Sequence, residues 1–145
     1  MGIDTENILN KLSATKSLTE FFSESKDSFN LLTIGEYIEL EIANRNFTKA
    51  KVIKSSGINK RFFYDILSDK KTPNRRYIIR IFLALGMSLS DVQWYLKACD
   101  YPGLYAKNKR DAIIIYCLNN SLSVFECNEM LNKVGLENLG FENSW

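Results

Sequence analysis

The chain contains no histidine. That absence removes Cys-His and Ser-His-Asp nucleophilic arrangements and most transition-metal sites, which need an imidazole as base or ligand. The seven glycines are scattered singly, so no glycine-rich phosphate loop is present. Three cysteines, Cys99, Cys117 and Cys127, are an odd number set in apolar helical patterns. They suit small buried hydrophobes in a reducing compartment better than a disulfide framework. No apolar run approaches the about 18 residues of a membrane span, and the greasiest stretch, residues 78–85, is broken by Arg80. Residues 1–12 are acidic and lack the basic head and apolar stretch of a secretory signal, so a cytoplasmic protein without a membrane partner is expected. Only two prolines occur, Pro73 and Pro102, and no run alternates strictly enough to argue for a sheet. The expectation is an all-α binding protein with no catalytic site, no metal and no cofactor.

What is present supports a real core. A chain of 145 residues with 46% hydrophobic residues is the size of one domain, or of one domain with a short extension. The net charge of +2 is unevenly spread: residues 1–41 carry −5, residues 42–81 carry +9 and residues 82–145 carry −2. A basic block between acidic flanks is what a phosphate-facing surface requires, although a solvated helical face has the same composition.

Helix signals follow in order. Residues 4–12 and 17–23 read as two short helices, the second opened by a Ser17-x-x-Glu20 capping box. Thr33-x-x-Glu36 is another such box, and it opens a helix whose apolar face is Ile34, Tyr37, Ile38 and Ile42, ending near residues 44–46. Thr48 can cap a helix over residues 49–56 with Ala50, Val52 and Ile53 inward, and Gly57 stops it by adopting positive φ. After the turn Gly57-Ile58-Asn59, Asn59 can cap a helix over residues 60–67. Phe63, Ile66 and Leu67 share its inward face, while Lys60, Arg61, Tyr64 and Asp65 do not. Residues 68–73 then read as a polar loop.

The remaining chain repeats at an offset of 35. Arg75 falls on Arg110, Ile78 and Ile79 on Ile113 and Ile114, Leu83 on Leu118, Ser88 on Ser123, Leu96 on Leu131 and Leu104 on Leu139. Val92 meets Cys127, Cys99 meets Val134 and Tyr101 meets Leu136, while the box Ser88-x-x-Asp91 meets Ser123-x-x-Glu126. Each unit reads as a helix pair, of residues 74–85 with 88–99 and of 109–119 with 123–133, and two stacked units bury their apolar faces against each other.

A helix, a turn holding Gly57 and a second short helix form the helix-turn-helix pattern. The glycine makes the turn, Ile53, Ile58, Phe63 and Ile66 lock the helices together, and the front of the second helix stays free for a major groove. The segment TKAKVIKSSGINKRFFYDIL (residues 48–67), followed by SDKKTP (residues 68–73), resembles the phage-repressor-like, or XRE, helix-turn-helix family. The resemblance implies a five-helix domain over residues 33–105, with residues 1–32 as an N-terminal helical extension. Residues 106–145 would be an additional C-terminal helix pair that serves dimerisation or partner binding. It further implies a double-stranded DNA-binding regulator acting as a homodimer. Asn59, Lys60, Arg61, Phe62, Tyr64 and Asp65 would take base-reading positions, and Thr48, Lys49, Lys70, Lys71, Asn74 and Arg75 phosphate-contacting ones. The reading helix departs from the family by showing Phe62 and Tyr64 beside Asp65. Exposed aromatics beside an arginine also make a protein-binding hot spot, so an adaptor with a protein partner is the second reading.

Overall fold

The computed structural model describes residues 32–142, and within them the chain is all-helical. The seven helices are α1 (Ile34–Asn44), α2 (Lys49–Ser56), α3 (Lys60–Leu67), α4 (Arg75–Ala84), α5 (Leu89–Ala98), α6 (Lys109–Asn119) and α7 (Val124–Lys133). The two helices expected over residues 4–12 and 17–23, and Trp145, lie outside the described residues. No described helix is long and apolar enough to cross a membrane.

Local chemistry sets the helix boundaries. The Thr33 and Ser123 capping boxes both form, with the hydroxyl accepting the third amide and the glutamate reaching back to the cap N–H. At Ser88 only half of the expected box forms: its hydroxyl accepts the Asp91 amide, while the Asp91 carboxylate faces Arg45 at 3.3 Å. Three helix-to-helix connections, α1–α2, α4–α5 and α6–α7, use one turn geometry. Asn46, Gly86 and Ser121 adopt positive φ, and the next residues, Phe47, Met87 and Leu122, each donate an amide to a carbonyl five residues back. Each of these bonds satisfies a carbonyl that the helix end would otherwise leave open.

The buried apolar residues run from Tyr37 to Leu139 as one core, and α4 lies at its centre with Ile78 to Leu83 all buried. Helix α4 packs on α2 from one side and on α7 from another, while α5 meets α6 and α1 packs on α3. Cys117 and Cys127 are buried, as the repeat implies, and Cys99 is half-buried. The inward face of α2 differs from the sequence reading. Ala50 is exposed and Ser56 is buried where its carbonyl meets Arg80 of α4. Trp94 is half-buried and meets Tyr37 edge to face at 6.1 Å between ring centroids.

One polar cluster ties α1 to α5. The buried Glu41 accepts from Arg45 Nε at 2.6 Å and from the Tyr95 hydroxyl at 2.7 Å, and Arg45 continues to Asp91. Burial pushes the Glu41 carboxyl up, and the Arg45 charge with the Tyr95 and Arg45 hydrogen bonds offsets only part of that rise. Where α1 begins, Gly35 lies so close to the Leu67 carbonyl that an added Cβ would stand 2.4 Å from its oxygen. Asp69 then accepts from the Thr33 hydroxyl at 2.6 Å and the Gly35 amide at 3.2 Å. The loop after α3 is thereby anchored to the start of α1.

The offset of 35 recurs in the hydrogen bonds. Arg75 donates to the carbonyls of Pro102 and Gly103, both at 2.9 Å, and Arg110 donates to those of Glu137 at 2.8 Å and Asn138 at 3.5 Å. The Gln93 amide brackets Leu104, giving to its carbonyl and taking its N–H. Asn128, in the equivalent place, takes the Leu139 N–H and, one methylene shorter, gives to the Gly140 carbonyl. Between the units, Arg75 makes a two-pronged ion pair with Asp111 at 3.1 and 2.9 Å.

Truncating Leu131, fully buried where the repeat places a core residue, should cost about 2–5 kcal/mol in Leu131→Ala. Urea unfolding measures it, and a change within error would mean that the second unit is not core.

Asp111 gives a pH signature. Burial pushes its carboxyl up, but hydrogen bonds from Arg75 and the Tyr105 amide, with the charges of Arg75 and Arg110, outweigh burial and hold it below its ordinary 3.8. A carboxylate depressed in the folded state stabilises above its unfolded value, and that contribution fades as pH falls through the folded one. Stability should therefore drop below pH 3.8. In Asp111→Asn the chain should be weaker at pH 7 and its acid decline shallower, as read from urea midpoints across pH.

Candidate nucleic-acid interface

Helices α2 and α3 are joined by Gly57-Ile58-Asn59, and each junction residue has a defined task. Gly57 ends α2 at φ +71°, a left-handed conformation that costs other residues strain. Ile58 is fully buried, and its amide donates to the Ser56 hydroxyl at 3.3 Å. Asn59 starts α3, its side-chain oxygen accepting the amides of Arg61 at 3.0 Å and Phe62 at 3.2 Å. Ile53, Ile58, Phe63 and Ile66 are all buried together, as the sequence pattern requires.

Helix α3 separates its two sides sharply. Phe63, Ile66 and Leu67 face the core, while Lys60 and Arg61 are exposed and Tyr64 is 41% exposed. Phe62 and Asp65 sit differently from the rest of the expected base-reading set. The Phe62 ring is half-buried against Tyr77, edge to face at 4.8 Å, with the Lys71 ammonium 5.8 Å from its centroid. Asp65 is half-buried, with Lys71 at 4.0 Å, and its backbone carbonyl accepts the amides of Lys70 and Lys71. Both residues therefore shape the loop after α3. Asn59 has its side-chain oxygen committed to the cap.

Around α3 the expected phosphate-contacting residues fall into three places. Thr48 and Lys49 stand at the N-terminus of α2. The Thr48 hydroxyl caps the helix, and the Lys49 ammonium lies 3.3 Å from Glu39 and 6.0 Å from the Tyr64 ring centroid. Lys70 and Lys71 are exposed on the loop. Asn74 is exposed at the N-terminus of α4, where its side chain makes no capping bond. Helix N-termini carry partial positive charge and open amides, which suits anions. Arg75 stands apart from this group, because its guanidinium is occupied by Pro102, Gly103 and Asp111.

Three cations outside the expected set border the same region. Lys54 is exposed on α2, and so is Lys51, 4.8 Å from the Phe47 ring centroid. Arg76 lies 4.8 Å from the Tyr77 ring centroid and donates to its hydroxyl. Helical spacing alone could have placed Lys51 and Lys54 outward. That Arg75 is spent within the fold depends on where Asp111 lies, 36 residues away.

Among the described residues, no group of three or more Cys, Asp or Glu side chains is placed to hold a metal ion. No protein-family model, no curated protein and no solved structure matches the chain. The resemblance to the phage-repressor-like family thus rests on residues 48–73 alone.

Two glycine substitutions separate backbone strain from crowding at the turn. Gly57→Ala must adopt positive φ, costing about 1–2 kcal/mol, and its Cβ would fall 2.3 Å from the Phe141 ring. Gly86→Ala faces the same φ penalty with nothing within 4 Å. Gly57→Ala should therefore be the more destabilising in urea and should shift the Phe141 ring resonances. Equal losses in the two variants would mean that the ring does not bear on the turn.

Proposed function

We propose that the chain is a sequence-specific double-stranded DNA-binding regulator that inserts α3 into the major groove. The observation that carries this reading is the division of α3: three apolar residues hold it to the core, and Lys60, Arg61 and Tyr64 point outward beside exposed Lys70 and Lys71. An α-helix with its side chains is about 10–12 Å across, which fits a major groove about 12 Å wide. In this reading Lys60, Arg61 and Tyr64 meet base edges, with the Asn59 amide at the front of the helix. Thr48, Lys49, Lys70, Lys71 and Asn74 meet phosphates on either side. Phe62, Asp65 and Arg75 act by support, since their side chains are engaged within the protein. Two copies on a two-fold site would present their helices to half-sites about 34 Å apart. Membership of the phage-repressor-like family and action in the cytoplasm belong to the same proposal, which assigns the chain no reaction and no cofactor.

A protein-binding adaptor is the second reading, and the exposure of Tyr64 beside Arg61 favours it. The half-burial of Phe62 against Tyr77 weighs against it, because a ring held in the fold offers less area to a partner.

Fluorescence anisotropy against genomic and random duplexes at two salt concentrations separates the readings. For DNA, log K should fall by roughly 0.9 per phosphate contact for each tenfold rise in salt. Lys70→Ala and Lys71→Ala should weaken all duplexes and flatten that slope. Arg61→Ala should cost about 1–3 kcal/mol and relax preference at one base pair. No duplex bound tighter than random DNA, together with loss of a captured protein partner in Tyr64→Ala, would overturn the regulator in favour of the adaptor.

A further inference from the structure

The segment that follows α7 returns to the α2–α3 turn. Leu139 is fully buried, its amide held by Asn128. The Phe141 ring covers Gly57, and the Glu142 amide donates to the Gly57 carbonyl at 2.7 Å. The neighbouring Ser56 carbonyl is taken by Arg80 Nε at 3.0 Å. Arg80 has no exposed side-chain surface, and its other nitrogens bond the Leu139 carbonyl at 3.2 Å and both Glu142 carboxylate oxygens at 3.1 and 2.9 Å. Its guanidinium carbon lies 5.1 Å from the Tyr77 ring centroid, and Tyr77 is the ring against which Phe62 of α3 packs.

Two buried carbonyls at the end of α2 are thus satisfied by groups from α4 and from the C-terminal segment. A buried carbonyl left without a donor costs far more than a solvated one, so these bonds fix where the turn sits. The turn in turn sets the direction in which α3 leaves. From Glu142 through Arg80 and Tyr77 to Phe62, the contacts form one continuous line from the C-terminal segment to the outward helix.

We infer that residues 139–142 and Arg80 form a brace that positions α3 for base recognition, with Arg80 and Glu142 as positioning residues. This rests on the DNA-binding reading for its consequence, though not for its structural content. A helix held by the brace presents Lys60, Arg61 and Tyr64 at a fixed angle, which direct base readout demands. Phosphate contacts from Lys70 and Lys71 tolerate a looser helix, because charge attraction falls off more gently than hydrogen-bond geometry. Loss of the brace should therefore cost selectivity between duplexes and spare affinity for random DNA.

The test uses the full chain in four forms: the parent, Glu142→Ala, Glu142→Gln and Phe141→Ala. Amide hydrogen exchange is read at residues 56–63, with the Val92 and Cys99 amides of α5 as distant references. Affinity is read for a selected genomic duplex and for a random one. Glu142→Ala should speed exchange at residues 56–63 by about tenfold or more while the reference amides keep their rates. The ratio of selected to random affinity should fall by about tenfold, with affinity for random duplex undiminished. Glu142→Gln, which keeps an acceptor for Arg80, should lie between Glu142→Ala and the parent. Phe141→Ala leaves the ion pair intact and should speed exchange at the turn if Glu142→Ala proves too unstable to study.

Unchanged exchange at the turn, or acceleration spread evenly over the reference amides with a fall in Tm, would overturn the brace in favour of general stabilisation. Local acceleration with an unchanged duplex ratio would overturn its role in recognition. Should the parent itself select no duplex, the DNA-binding reading fails, and the exchange measurement still decides whether the segment positions α3.

Discussion

The interaction on which the fold turns is the buried guanidinium of Arg80. A charge with no exposed surface survives in a protein only when its donors are met, and here they reach α2, the segment after α7 and a carboxylate within one site. The Glu142 carboxylate is 42% exposed, so water screens that pair, and the carbonyls of Ser56 and Leu139 hold the guanidinium on its buried side. Arg80 sits on the central helix, where Ile78, Ile79, Ile81 and Phe82 are buried with it. Its bonds make the α2–α3 turn and the segment after α7 structurally interdependent.

The repeat explains how the chain reaches that arrangement. Each unit is a helix pair joined by the same turn, followed by a return segment that an arginine and an amide hold against the unit's own helices. The first unit uses its return segment, around Leu104, to lead into the second, with Asp111 reaching back to Arg75. The second unit sends the equivalent segment, around Leu139, back to Arg80 and Gly57. One device serves as a linker in one copy and as a brace in the other, because different neighbours meet it.

Charge behaves in the same way. The +9 of residues 42–81 is not a +9 surface. Arg45, Arg75 and Arg80 are engaged by Glu41 and Asp91, by Asp111 and by Glu142, all structural pairs. Lys51, Lys54, Lys60, Arg61, Lys70 and Lys71 remain at the surface around α2 and α3. Arginine fills the buried roles and lysine most of the exposed ones, in keeping with a planar fork suited to carbonyls and carboxylates and a strongly hydrated ammonium suited to solvent.

Local sequence determined the helices themselves. The bounds of α2, α3 and α6 match the spacing of apolar residues and caps, because Thr48, Gly57, Asn59 and the hydrophobic period act within a few residues of one another. The offset of 35 was equally legible, since it is a pattern of residue types along one line. The outward placement of Lys60, Arg61 and Tyr64 followed from the same period. Tertiary structure decided the rest: that Ser56 rather than Ala50 faces inward, that Phe62 lies on Tyr77, that Arg75 is spent on Asp111, and that Arg80 is a junction. These depend on pairs 15 to 62 residues apart, such as Phe62 with Tyr77 and Arg80 with Glu142. Helical period ranks residues by face but says nothing about which distant group arrives at that face. A long polar side chain such as arginine takes its role from whichever acceptor comes within reach once the chain has closed.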